Sequence, residues 1–176
     1  MSDMEILWQR YDDQGEALAG KGVSKYEAFS KGVLHGASHV WIWRRRNKGV
    51  LEILLQKRAA SKRTWPNLYD ISAAGHIDLG ETPLSAAVRE AKEEINLDVT
   101  TQDLRLFGVH RTYIKAENGE IENEFQWLYS LEFSGDTNFT LQITEVDSLA
   151  WVSFSQFKTE CEGDHYVPHG KLYYDM

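Results

Sequence analysis

Glu90, Glu93 and Glu94 stand at i, i+3 and i+4 within the stretch Gly75 to Leu97. On a helix that spacing gathers three carboxylates on one face, where like charges repel. A cation removes the repulsion, and hard oxygen donors suit Mg²⁺ or Mn²⁺. A solvated acidic face, partly balanced by Arg89 and Lys92, is the other reading of the same pattern. The chain's net charge of −8 fits a protein that meets anionic substrates through bound cations rather than through bulk basic charge.

Local signals place these carboxylates. Gly75 and Gly80 bracket a short loop, Thr82 is a good N-cap, and Pro83 suits the first helical position. Leu84, Ala87, Val88, Ala91 and Ile95 then recur at helical spacing and form an apolar stripe. Upstream, residues 4–10, a turn of Asp12-Asp13-Gln14-Gly15 and Ala17 to Val23 predict an N-terminal hairpin. Ser24 to Glu27 has the form of a capping box and starts a short helix to about Lys31. His39 to Trp43 and Val50 to Leu55 flank a basic tip and form a second hairpin. Gln56 to Asn67 is a basic loop, and Tyr69 to Ala74 reads as one strand. After the acidic helix, Leu104 to Ile114 and Ile121 to Phe133 flank a turn whose Asn118-Gly119 pair favours a hairpin. Leu141 to Val152 is another strand region, and Ser153 caps a short helix through Phe157. The tail from Glu162 carries no readable element. The expected class is α+β, an α/β/α sandwich with a mixed sheet between helices and an N-terminal hairpin extension (1–30).

At 176 residues, with 42% hydrophobic and 26% charged residues, the chain suits a single globular domain over 1–176. Cys161 is the only cysteine, so no internal disulfide forms, and a cytoplasmic location is expected. No apolar run approaches membrane-spanning length, and the first ten residues lack a signal-peptide core. Neither a membrane nor a nucleic acid is an expected partner. The oligomeric state is open, with a homodimer among the options.

The acidic stretch resembles the signature of Nudix hydrolases, the Nudix box, over 75–97. Gly75, Glu81, Arg89, Glu90, Ala91, Glu93, Glu94 and Leu97 fall at its defining positions. Asn96 replaces a glycine near the end, and asparagine tolerates the left-handed turn required there. The resemblance implies a divalent metal, Mg²⁺ or alternatively Mn²⁺, on Glu90, Glu93 and Glu94. It makes Glu81, Gly75 and Arg89 the framework of the loop and helix. The implied chemistry is hydrolysis of a small-molecule diphosphate, most simply a nucleoside di- or triphosphate, with a further carboxylate handling the attacking water.

The stretches VLHGASHVWIW, TWPNLYDISAAGH and IENEFQWLY resemble the branch that includes isopentenyl diphosphate isomerase. His35, His76, Glu122 and Glu124 match metal ligands of that isomerase, and a further histidine position falls on Ala28. The isomerase needs a cysteine directly before its Gly-His, and this chain has Ala74 there. Alanine cannot protonate an alkene, which argues against isomerisation. A nucleotide-sensing module without turnover is the other alternative, and the intact glutamate row argues against it.

Outside the box, Glu122 and Glu124 lie two apart and share a strand face. Glu124 is the preferred extra metal ligand and water-activating group, with Glu145 as its substitute. His35, His76 and Glu122 are read as substrate contacts, although His35 also suits a buried structural role and His76 a turn role. Among Arg44, Arg45, Lys57, Arg58, Lys62 and Arg63, Arg58 is the preferred phosphate-binding residue because it ends a strand leading toward the pocket. Trp65 and Tyr69 suit either base stacking or a core wall.

Overall fold

The structure, a computed structural model, describes residues 6–46, 49–135 and 138–176. The start of the first expected strand and the Asn47-Lys48 part of the hairpin tip lie outside them. Within them run β1 (Leu7–Tyr11), β2 (Ala17–Ser24), α1 (Lys25–Lys31), β3 (His35–Arg45), β4 (Leu51–Arg58), β5 (Tyr69–Asp70), β6 (Ala73–His76), α2 (Pro83–Ile95), β7 (Arg105–Lys115), β8 (Ile121–Glu132), β9 (Val146–Ser153), α3 (Phe154–Glu160) and α4 (Lys171–Tyr174). No helix among the described residues is long and apolar enough to cross a membrane.

β3 is the hub of a mixed sheet. One edge runs parallel to β8, from His35 opposite Glu124 to Trp43 opposite Glu132. Its other edge is shared. Ala37 to Val40 pair with β6, and Trp43 to Arg45 pair with β4. β4 then diverges to pair with β5 and β9. The expected single strand over Tyr69 to Ala74 breaks at this fork. Ser72 fills the gap, where its hydroxyl accepts from Ile42 N–H at 2.8 Å and donates to Leu54 C=O at 2.6 Å. One side chain thus satisfies two buried backbone groups that the diverging strands cannot give each other.

Alternation along β3 and β4 divides the core. Val40, Ile42 and Leu54 face α2 with Ala87 and Ile95. Trp41, Trp43, Ile53 and Leu55 face the opposite layer with Phe157, Cys161 and Tyr166. Strand periodicity therefore produces the sandwich directly. The segment expected as strand before Val146 takes another course. Thr140 N–H and Gln142 N–H donate to the carbonyls of Ile95 and Glu94, so this backbone closes the open end of α2 instead of a sheet edge.

Candidate active site

α2 begins and ends as its sequence requires. Thr82 accepts from Ser85 N–H, and Ser85 returns the bond in a capping box. Asn96 adopts φ 54° and ψ 39°, the left-handed turn that glycine would otherwise supply. Between these caps, Ala86, Ala87, Ala91 and Ile95 bury one face, and Glu90 and Glu94 are drawn inward with it.

Arg89 ties the loop to the helix. Its Nε and Nη2 bind the two Glu81 oxygens at 3.0 and 2.9 Å, a bidentate pair. Nη2 also reaches the His76 carbonyl at 2.8 Å, while Nη1 reaches Glu90 Oε1 at 2.6 Å and Glu93 Oε2 at 3.2 Å. Gly75 is required by close approach. A Cβ there would lie 2.0 Å from Glu90 Oε1, inside any van der Waals contact.

The carboxylates face a cavity of about 670 Å³. Burial pushes Glu94 up to about 8, and neighbouring Glu90 adds to the effect. Burial pushes Glu90 up to about 7 despite Arg89. Two buried acids short of compensating positive charge are what a divalent cation would relieve. Glu93 is half exposed at the rim.

A second donor cluster lies beside them. Ligand atoms of His35, His76 and Glu124 fall within 4.8 Å of one another. The parallel register sets His35 against Glu124, and β6 brings in His76. His35 Nδ1 lies 2.8 Å from the Val33 carbonyl, an acceptor, so that nitrogen carries a proton. Its Nε2 is buried without a hydrogen-bond partner among the described residues, 3.3 Å from Glu124 Oε1 and not aligned to bond with it. An orphaned ring nitrogen aimed at a carboxylate oxygen is the arrangement a bound cation satisfies, with the Val33 carbonyl orienting the ring. Burial lowers the His76 pKa to about 4, so its ring is neutral. Burial alone would raise Glu124, yet the two imidazoles beside it, His35 and His76, hold it well below the usual carboxylate range. The donor set fits a divalent ion.

The N-terminal hairpin completes this cluster. Trp8 stacks on His76 with centroids 3.6 Å apart and an interplanar angle of 9°, and Phe29 packs edge-on against both. Among the remaining expected residues, Glu122 lines the cavity, accepts from Trp65 Nε1 at 3.3 Å, and is pushed up to about 7 by burial and then by Glu124. Arg58 also lines the cavity, but its guanidinium is engaged by Asp70 Oδ2 and the Thr64 carbonyl, each at 3.1 Å. Lys62 pairs with Glu145 and Arg63 with Glu120 at the cavity wall. Arg44 lies apart, held by Glu52 and stacked on Trp151. Tyr69 packs against Tyr166 in the second core.

Three cavity residues carry no role in the sequence reading: His39, Asp70 and His169. His39 lies in an apolar strand, and His169 in the tail without readable structure. Their contacts join residues about a hundred positions apart, which local pattern does not report.

The NUDIX domain profile matches residues 34–174. The chain belongs to the Nudix family. It is 34% identical over 148 residues to an uncharacterised Nudix hydrolase of Clostridium acetobutylicum, covering 82% of this chain and 68% of the relative. It is also 32% identical over 161 residues to an isopentenyl-diphosphate Delta-isomerase of Serratia proteamaculans, covering 91% and 82%. This Nudix chain therefore sits in the branch that resembles the isomerase, and it is a hydrolase of the class that acts on pyrophosphate bonds. The crystal structure of DR0079 from Deinococcus radiodurans shares the fold, with a TM-score of 0.70, 18% identity and 94% of each chain covered.

Proposed function

We propose that this chain is a Mg²⁺-dependent pyrophosphohydrolase acting on nucleoside di- or triphosphates or related nucleotide derivatives, with Mn²⁺ as an alternative ion. The observation that carries the reading is the pair Glu90 and Glu94, both buried, both raised by burial, and both facing the cavity that His76 and Glu124 also line, with His35 buried behind them. Bound at the carboxylates, a divalent ion supplies positive charge against the phosphate oxygens.

The chain's own residues do the rest. Arg89 and Glu81 lock the loop to the helix, so Glu90 and Glu93 keep their aim. Ala74 N–H and Gln56 Nε2 hold Glu94 Oε2 at 2.9 and 3.3 Å and leave Oε1 for the ion. His35, His76 and Glu124 would hold a further divalent ion. The cavity suits a ligand of nucleotide size. Lys62 and Arg63 supply cationic groups to its wall, and Trp65 a flat surface.

Isomerisation of a prenyl diphosphate is the second reading, favoured by the 32% identity to an isomerase. Ala74 lines the cavity, and its methyl group stands where that chemistry needs a thiol. One screen tests both readings. Purified protein with Mg²⁺ or Mn²⁺ is incubated with nucleotides, dinucleotides, nucleotide sugars and prenyl diphosphates. Phosphate or nucleoside monophosphate release is expected, with no allylic isomer. Isomer formation without hydrolysis would overturn the reading, and tight binding without turnover would make the chain a sensor.

A further inference from the structure

His169 and Asp70 form a buried dyad on the cavity wall, outside the signature stretch. Their side chains are 8% and 5% exposed. The tail is held in place by backbone bonds from Tyr69 N–H to His165 O and from Val167 N–H to Tyr69 O, at 2.8 and 2.9 Å. The His169 ring stacks on Tyr173 with centroids 4.4 Å apart, and Gly170 turns the chain at φ 88°. The imidazole is therefore positioned from three sides.

Asp70 determines which nitrogen carries the proton. Its Oδ1 lies 2.8 Å from His169 Nε2 and accepts from Ile71 N–H at 2.8 Å, and its Oδ2 accepts from Arg58 at 3.1 Å. An ionised carboxylate only accepts, so His169 donates Nε2–H to it. Nδ1 then carries the free lone pair and has no protein partner among the described residues, in a residue that lines the same cavity as Glu90 and Glu94.

The two carboxylates the sequence suggests as bases, Glu124 and Glu145, are occupied. Glu124 Oε1 lies 3.3 and 3.2 Å from the two imidazoles of its cluster, and Oε2 accepts from Gln126 at 3.1 Å. Glu145 is paired with Lys62. A hydrolytic site needs a group that takes a proton from water, and an oriented imidazole with one open nitrogen meets that need.

We propose that His169 is the proton acceptor for the attacking water and that Asp70 is its positioning residue. The proposal rests on the hydrolase reading above. The water oxygen bonds to a phosphorus atom, and the bond from that phosphorus to the bridging oxygen breaks, its electron pair leaving with the departing phosphate. The water's proton passes to Nδ1. Asp70 stabilises the imidazolium until the proton is lost to solvent. Arg58, His39, Glu94, His110, Glu122, Tyr173 and Tyr174 are the other titratable or charged groups that face the dyad.

The test uses H169Q and D70N on the substrate found by the screen. In H169Q, kcat should fall about 10²- to 10⁴-fold with KM nearly unchanged. D70N lets an amide donate to Nε2 and reverses the tautomer, so kcat should fall while the protein stays folded by circular dichroism. A purely structural role would lower the melting temperature and leave kcat and the pH profile of the folded protein intact. A wild-type chain that hydrolyses while H169Q keeps its kcat removes the dyad and leaves the hydrolase reading standing. A wild-type chain that hydrolyses nothing removes both. Should the variants not fold, ¹⁵N-imidazole NMR of the wild type reads the same point. The Nε2–H tautomer is expected, with Nδ1 shifting on addition of methylenediphosphonate and Mg²⁺. A His169 signal unmoved at saturating diphosphonate overturns the assignment.

Discussion

The backbone N–H of Ala74 donates to Glu94 Oε2 at 2.9 Å, so the last turns of α2 and the edge of β6 meet at a single carboxylate. The bond fixes one oxygen and favours the ionised form, but burial outweighs it and Glu94 rises to about 8. Position 74 thus bears on both chemistries of this branch: its backbone orients a hydrolase carboxylate, and its side chain lacks an isomerase thiol.

Glu94→Gln should reduce turnover to about 1% of wild type or less while the fold persists, because the volume is kept and the charge is lost. The pH dependence of stability has a defined sign. Unfolded, Glu90 and Glu94 ionise near 4.5, whereas the folded, metal-free protein keeps their protons to about 7 and 8. The folded state binds more protons between these limits, so stability falls as pH rises from about 4.5 to 8. Thermal melts in EDTA should show this slope, E94Q should flatten it, and Mg²⁺ should raise the melting temperature more at pH 8 than at pH 5. A wild-type melting temperature independent of pH and Mg²⁺ would contradict the assignment.

Gly75→Ala tests the close approach of loop and helix. The added Cβ would lie 2.0 Å from Glu90 Oε1, so the carboxylate must move. The Mg²⁺ concentration for half-maximal activity should rise at least about tenfold, as expected when a ligand loses its aim. Overpacking should cost about 1–3 kcal/mol in urea unfolding. Unchanged Mg²⁺ dependence would separate Glu90 from the metal site.

Much of this site is local, and that part is legible in the chain. The α2 caps at Thr82 and Asn96, the three glutamates and the Glu81–Arg89 spacing all lie within one loop–helix unit, where helical period dictates proximity. The β7–β8 hairpin follows from its turn residues in the same way. What escapes is non-local. Ser72 breaks the strand expected over Tyr69 to Ala74 because β3 and β4 diverge there, a property of the sheet and not of the segment. Arg58 carries the charge expected of a phosphate ligand, but only the fold shows Asp70 beside it. The tail looks featureless because His169 and Tyr173 find their partners across the sheet, at Asp70 and His39.

Arg58 offers a direct comparison of two roles. Its side chain is 16% exposed and binds Asp70, itself 5% exposed. Arg58→Ala removes that partner and should cost about 3 kcal/mol, since an uncompensated buried charge is destabilising even when one partner remains. Chemical denaturation measures it. If Arg58 instead serves only to bind phosphate, stability will hold and KM will rise more than kcat falls.

Arg89→Lys separates charge from geometry in the loop–helix lock. Lysine keeps the positive charge but cannot span both Glu81 oxygens while also reaching His76 C=O, Glu90 and Glu93. The native guanidinium makes all five contacts, at 2.6 to 3.2 Å. The Gly75–Thr82 loop should loosen, seen as faster amide exchange at Asp78, whose N–H donates to Glu81 Oε2 at 3.0 Å. Activity should fall about 10²-fold, mainly in kcat, because the carboxylates lose their aim while the rest of the cavity persists. Glu81→Gln should act in the same direction, and the double variant should cost much less than the product of the two single losses, since both break one pair. Multiplicative losses would show that Arg89 and Glu81 act independently.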